Sequence, residues 1–284
     1  MNDMSADPLH QARVARLKTR SVIIATPTIR APCWQYVNSI IGTCVLLERW
    51  GIAYGRCVLA SSNLPRVRNE LVAQFLASGF TDLMFIDDDM EWRPEDILRF
   101  LASEHDVCGG VGRLKIDKEP SDPAAWCGAP APAPNGLLVQ DDMGFIEYEK
   151  VGTGIVKITR AAFDRLIAAH PDWKRKGDKR LAPESRDCFY RFFSFPEDAL
   201  GGEDYAFCEA WRELGGSIWA DPNAVIGHIG LRNWSGSLSQ LIKPFDASVD
   251  KLPTPANAEP LPAFREGAGD IAELMTLFPD GNLR

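Results

Sequence analysis

As far as Gly110 the chain alternates short apolar runs with longer amphipathic ones, and this rhythm constrains the fold more than anything else in the sequence. Ser21–Ala25 is a β-branched run closed by Thr26-Pro27-Thr28, which reads as a buried strand ending in a turn. Trp34–Trp50 has a helical pattern and stops at Gly51. Arg56–Ala60 is a second strand, after which Asn63 offers an N-cap and Pro65 a first-turn residue for a helix running to Ala77. Asp82–Ile86 is nearly all apolar, as a central strand covered on both faces must be. Pro94-Glu95-Asp96 opens a further helix with acids where the helix dipole favours them. Val107-Cys108 is a fourth strand, ended by Gly109-Gly110. Strand and helix in turn predict an α/β fold with a mainly parallel sheet and helices on both faces.

The second half is less regular. Ala129–Pro134 reads as a stiff extended surface excursion. Glu149–Thr159 reads as one strand containing Gly152-Thr153-Gly154, followed by a helix over Arg160–Ala169. His170–Pro196 is a long polar and aromatic loop, a length usually tied to function or mobility. A helix over Glu203–Leu214 and a short strand at Ser217–Trp219 follow, and from Lys243 onward Pro and Ala dominate. The expected organisation is an N-terminal extension over residues 1–20, a catalytic domain over 21–242 and a tail over 243–284.

Composition enters mainly to exclude. A net charge of −8 argues against wholesale coating of a nucleic acid or an anionic membrane, though it leaves room for a local basic patch. The seven cysteines are scattered with no C-x-x-C pair, a pattern of reduced thiols in a cytoplasmic protein rather than a disulfide frame or zinc site. No apolar run approaches the ~20 residues of a membrane-spanning helix.

Chemistry concentrates at three places. Asp87-Asp88-Asp89 follows the third strand directly, and open parallel sheets bind ligands beyond the carboxyl ends of their strands. If the segment stays extended, Asp87 and Asp89 share one side and form a hard oxygen site for Mg²⁺ or Mn²⁺; the alternative is a solvated acidic turn. Glu203-Asp204 opens the helix in which Phe207, Ala210, Trp211 and Leu214 form the buried arc. At ~100° per residue Asp204 falls at the edge of that arc, where a carboxylate is partly desolvated, as a general base requires. A simple helix-dipole acid is the alternative there. His228 lies between Gly227 and Gly230 in an apolar run, either a hydrogen-bonded core residue or a metal ligand beside carboxylates. Arg68 falls inside the apolar arc of Val67, Leu71 and Phe75 and needs an anionic partner, an Asp of the cluster or a phosphate. Lys174-Arg175-Lys176 with Lys179-Arg180 reads as a solvated loop, with contact to an anionic acceptor as the lesser alternative.

Thr26-Pro27-Thr28, Arg68-Asn69, Phe85–Asp89, Gly152-Thr153-Gly154, Glu203-Asp204 and His228, in that order, resemble nucleotide-sugar-dependent glycosyltransferases of the Rossmann-like GT-A fold. The chain is similar to family 2-like members, including compact bacteriophage-encoded ones, over about Ser21–Gly230. The resemblance implies a nucleotide-sugar donor, with Thr26, Pro27, Thr28, Arg68, Asp87 and Asp88 around the nucleotide and Gly152, Thr153 and Gly154 under the sugar. It implies Mn²⁺ or Mg²⁺ on Asp87 and Asp89, Asp89 foremost, with His228 third, and Glu203 and Asp204 as catalytic carboxylates, Asp204 being the base of an inverting reaction, with retaining chemistry left open because fold alone does not fix stereochemistry. Asp88 departs from a plain D-x-D motif and leaves open which acids bind the ion directly. The acceptor is a modified DNA base or a saccharide, and the setting the cytoplasm, of a host cell if the chain is phage-encoded. Two other readings stand beside it: a two-metal phosphoryl-transfer enzyme, since acidic clusters at strand ends build those too, and a non-catalytic sugar-nucleotide-binding module.

Overall fold

In the computed structural model of the chain, which describes residues 8–29, 31–195 and 202–242, β1 (Ser21–Thr28) lies between β2 (Ala53–Ala60) and β3 (Asp82–Ile86), parallel to both. The sheet continues past β3 through β8 (Ile155–Thr159), β5 (Val107–Gly109), β9 (Ile218–Ala220), β7 (Ile146–Lys150) and β6 (Ala129–Pro130). Only β8 and β7 run against the others, so the eight-stranded sheet is mainly parallel in direction. A second, three-stranded sheet joins β11 (Asn233–Ser237), β10 (Val225–Ile229) and β4 (Met90–Glu91). All described residues belong to the first of two compact units, Met1–Leu252. The Pro/Ala-rich tail expected from residue 243 lies outside the described residues.

Alternation along the strands explains why both faces carry helices. Ile23, Ala25, Leu83 and Phe85 enter one core with residues of α3 (Leu64–Ala77), α5 (Arg160–Ala169) and α7 (Glu203–Glu213). Val22, Ile24, Met84 and Ile86 enter the other, with α1 (Pro8–Leu17), α2 (Trp34–Arg49) and α4 (Pro94–Ala102). Burying each large side chain stabilises the fold by about 1.5–3 kcal/mol, so β3, wholly buried, cannot slip register without exposing both cores. The N-terminal segment contributes to this packing: Leu17 at the end of α1 is fully buried.

Three expectations change. Thr26-Pro27-Thr28 is not a turn but the end of β1. Pairing with β2 runs on to Thr28, whereas pairing with β3 stops at Ala25, so Pro27 sits where one side of the strand needs no donor. Glu149–Thr159 is not one strand. It breaks at Val151–Gly154, and its two ends, β7 and β8, take the seventh and fourth places in the sheet. Ala129–Pro134 is not a free excursion, because Ala129 and Pro130 pair with β7 at the sheet edge. The long stretch from His170 also carries structure, namely α6 (Pro183–Asp187) and a bridge between Lys174 and Tyr190.

Asn63 caps α3 by accepting the Arg66 N–H at 3.1 Å. Within that helix Asn69 clamps the Phe193 backbone, donating to its carbonyl at 2.7 Å and accepting from its N–H at 2.9 Å. Asn69 thus fixes a neighbouring segment, and the adjacent Arg68 is left to the site.

Candidate active site

At Ile86 the central strand leaves the core, and the three aspartates turn rather than continue extended. Met90 N–H donates to the Asp87 carbonyl at 3.2 Å, closing a turn, and Asp87 N–H donates to the Gly154 carbonyl at 3.0 Å. The alternation expected of an extended segment is therefore replaced by a fan of three carboxylates with three different partners. Asp88 accepts from the Thr28 hydroxyl, while its carbonyl accepts the Cys33 N–H at 3.0 Å. Asp87 meets Arg68, and Asp89 meets Lys115.

Arg68 is the anchor of the site. It is 2% exposed, and its Nη2 donates to both oxygens of Asp87 at 3.0 and 3.2 Å while Nε donates to Glu203 Oε1 at 3.1 Å. Its guanidinium carbon also stands 5.3 Å from the centre of the Phe85 ring. The sequence placed an arginine in an apolar arc, and the two acids it requires arrive from β3 and α7. Burial pushes the Asp87 carboxyl up to about 6, with Arg68 opposing the shift and Asp89 adding to it. Arg68 Nη1 is buried with no hydrogen-bond partner among the described residues, as is Thr153 Oγ1.

Glu203 and Asp204 open α7 and separate in role. Glu203 is buried and ion-paired with Arg68. Asp204 pairs with no cation among the described residues. Tyr205 N–H donates to its Oδ1 at 2.9 Å, and burial, with the nearby Glu203 charge, raises its carboxyl above the ordinary carboxylate range.

The small sheet brings His228 to the acids. β10 pairs antiparallel with β4 at His228–Met90, and Ile229 N–H donates to the Asp89 carbonyl at 2.7 Å. His228 Nε2 then stands 3.7 Å from Asp89 Oδ1. Its Nδ1 lies 2.8 Å from the Arg113 carbonyl, which can only accept, so Nδ1 carries the proton and Nε2 the lone pair. Burial lowers the His228 pKa, favouring that neutral form. A neutral imidazole nitrogen facing a carboxylate offers one nitrogen and one oxygen donor, whereas Mg²⁺ and Mn²⁺ favour oxygen ligands. Asp87, the third expected ligand, is engaged by Arg68. Among the described residues no group of three His, Cys, Asp or Glu side chains is arranged to hold an ion. A divalent ion on Asp89 and His228 would draw its remaining oxygens from water or phosphate.

A cleft of about 320 Å³ opens at the carboxyl ends of β3 and β5, and Asp88 and Asp89 are not among the residues that line it. Arg68, Asp87, Gly152, Thr153, Gly154, Glu203, Asp204 and His228 all contribute to its wall. The expected nucleotide-pocket residues Thr26, Pro27 and Thr28 do not: all three are buried, and Thr26 bonds the Tyr36 hydroxyl at 2.6 Å. In the basic loop, Arg180 is paired with Glu70 and Asp178, and Lys174 lies over the Tyr190 ring. Leu64, Met90 and Cys127 in the wall, and Lys115 on Asp89, went unread in the sequence, since nothing local marks them. All seven cysteines are free thiols, and burial raises the Cys127 thiol in the cleft. No helix among the described residues is long and apolar enough to cross a membrane.

No protein-family model matches the chain, and no curated protein matches it. Solved structures to which it is similar include A197 from STIV, with a TM-score of 0.45 and 13% identity over 77% of this chain and 91% of that one. Another is a glycosyltransferase involved in the glycosylation of the major capsid of PBCV-1, with a TM-score of 0.30 and 8% identity over 58% and 71%. A third is the inositol-1-phosphate CTP transferase from T. maritima, with a TM-score of 0.36 and 10% identity over 74% and 89%. At scores this low the likeness carries no weight in assigning the cleft, whose reading rests on its own residues.

Proposed function

We propose that the chain is a metal-dependent, inverting glycosyltransferase that moves a sugar from a nucleotide-sugar to an acceptor hydroxyl, with Asp204 as the base. One observation carries this reading: a single cleft holds Asp204, which pairs with no cation among the described residues, together with His228, whose Nε2 faces Asp89 at 3.7 Å. Glycosyl transfer needs those two functions together, a base for the acceptor and a cation at the leaving group.

Asp204 Oδ1 is held by the Tyr205 N–H, which leaves Oδ2 to take the proton. As the acceptor oxygen, of a saccharide or a modified DNA base, bonds to the anomeric carbon, its proton passes to Asp204. The bond from that carbon to the nucleoside diphosphate breaks. Arg68, in the cleft wall, holds Asp87 and Glu203 in place. Mn²⁺ or Mg²⁺ on Asp89 and His228 would supply the positive charge that the departing diphosphate needs.

The test is Asp204→Asn assayed for sugar transfer across a panel of nucleotide-sugars, with donor binding followed by thermal shift. Transfer is expected to fall by about 10²–10⁴-fold, the usual worth of a positioned general base, while the donor-induced shift persists. Full transfer in that variant would sink the base assignment, and the absence of a shift with every donor would remove the nucleotide-sugar reading.

A further inference from the structure

The cleft that holds Asp204 has a volume of about 320 Å³, near the lower end of the ~300–1,000 Å³ usual for a single ligand. Glycosyl transfer brings two substrates together, so one of them needs further room. A second pocket, of about 660 Å³, adjoins the cleft, and Leu64 lines both. Its walls are the N-terminus of α3 and a two-segment ribbon. There Arg175 N–H donates to the Phe189 carbonyl and Arg191 N–H to the Trp173 carbonyl, each at 3.0 Å. Side chains alternate along such a ribbon, so Arg175, Phe189 and Arg191 share one side, while Lys174 packs with Tyr190 on the other.

Three arginines, Arg66, Arg175 and Arg191, line this pocket, and no acid among the described residues does. In a chain of net charge −8 that is a local reversal of sign. Arg66 is paired with Glu70 and Asp178. Among the described residues Arg175 donates only to the backbone carbonyls of Asp172 and Lys174, and the Arg191 guanidinium has no partner. The dipole of α3 adds to the attraction for an anion. Beside the arginines stand Leu64, Phe189 and Phe195, the last 64% exposed. The wall is firmly held: Asn69 clamps the Phe193 backbone, and the Phe193 ring stacks on Phe207 of α7 at 5.0 Å. The pocket is thus tied to the helix that carries the proposed base.

We propose that this pocket holds the acceptor and that the acceptor is a phosphate ester. Arg175 and Arg191 take the phosphate, and the phenylalanines take its aromatic or apolar part. The proposal rests on the glycosyl-transfer reading. Guanidinium forks match phosphate oxygens, whereas a neutral saccharide would leave both charges unanswered.

The experiment is calorimetric titration of the full chain with inorganic phosphate, phenyl phosphate, phenol and a short oligothymidylate. Phenyl phosphate is expected to bind more tightly than inorganic phosphate, and phenol not at all. Arg175→Gln and Arg191→Gln should each weaken phenyl phosphate about tenfold or more, the cost of a lost charge-assisted hydrogen bond. Phe195→Ala should narrow its advantage over inorganic phosphate, and Lys174→Gln, on the far side of the ribbon, should change nothing. All four positions are exposed, so each variant should melt with wild type. Oligothymidylate held more tightly through the same arginines makes the acceptor a polynucleotide, and no such gain makes it a small phosphate ester; both support the proposal. No binding of phenyl phosphate to wild type, or undiminished binding by both arginine variants, overturns it. Displacement of phenyl phosphate by a saturating nucleotide-sugar overturns it too, since the pocket would then belong to the donor. If no nucleotide-sugar shifts the melting temperature while arginine-dependent phosphate binding stands, the glycosyl-transfer reading falls and the phosphate site remains.

Discussion

Asp87 and Asp89 stand two residues apart on one turn, and their surroundings differ in kind. Asp87 is gripped through both oxygens by an arginine that is itself buried and tied to a second acid, Glu203, on α7. Asp89 is met by a mostly buried lysine, 29% exposed, from an irregular segment and by a neutral histidine across 3.7 Å. The guanidinium fork matches a carboxylate and holds one geometry, while the ammonium is a point charge on a flexible stem. One aspartate ties the turn to the fold through a buried guanidinium, and the other is held by a partly exposed ammonium. Neighbouring acids in sequence can therefore be anchored in quite different ways.

The contrast is broken most directly by removing each cation. Arg68→Ala leaves the buried Glu203 and the partly exposed Asp87 without their counter-charge and is expected to destabilise the fold by about 3 kcal/mol. Lys115→Met should cost no more than about 1 kcal/mol, the range of exposed ion pairs. Denaturant unfolding of both variants checks this, and equal losses would erase the distinction. Arg68→Lys should recover little, because a single ammonium cannot reach both acids as the fork does.

Changing the acids instead of the cations gives a smaller, opposite-faced result. Asp87→Asn leaves a buried guanidinium short of an anion and should cost about 1–3 kcal/mol. Asp89→Asn should leave the unfolding midpoint near wild type and abolish Mn²⁺ binding. Calorimetric titration beside thermal melts separates the two, and the reverse assignment of effects would exchange the roles given to these residues.

How far the sequence spoke for itself follows the range of the forces involved. The run Asp82–Ile86 and the helix Arg160–Ala169 were legible because burial on both faces, or on one arc, writes itself into local pattern. Arg68 was legible for a similar reason, since a charge among apolar neighbours announces a missing partner. The break between β7 and β8 was not read, although Gly152 and Gly154 weaken a strand there, because the places of its two ends are set by pairing with distant strands. Lys115 was invisible, sitting among ordinary loop residues and acquiring meaning only from Asp89 and His228, remote in the chain. The aspartates themselves were found, but their turn, closed by one hydrogen bond from Met90, overrode the extended alternation expected of them.

The glycines flanking Thr153 carry the comparison to the opposite wall of the cleft. A Cβ on Gly152 would stand 2.5 Å from Cys127 Sγ, whereas on Gly154 the nearest atoms, of Met90, are at an ordinary 3.4 Å. Gly152→Ala should therefore cost about 1–3 kcal/mol through overpacking, and Gly154→Ala should stay within about 0.5 kcal/mol. Thermal melts of the two variants decide it. A severe loss in Gly154→Ala would mean that the Asp87 side of the wall is tighter than its contacts indicate.

The finest effect expected is a shift in the pH dependence of transfer. Burial and the Glu203 charge both raise the Asp204 carboxyl, and a base acts only when ionised. The rate should thus climb with pH through a pKa above the ordinary carboxylate value, and that limb should vanish from the residual activity of Asp204→Asn. Glu203→Gln removes a like charge and leaves Arg68 less neutralised, and both changes favour the Asp204 anion. The limb should move to lower pH, by less than about one unit, while an amide oxygen still accepts from Arg68. A limb that moves upward would mean that Glu203 acts on Asp204 by positioning α7 rather than by its charge, and would tie the base to the Arg68 side of the turn instead of the Lys115 side.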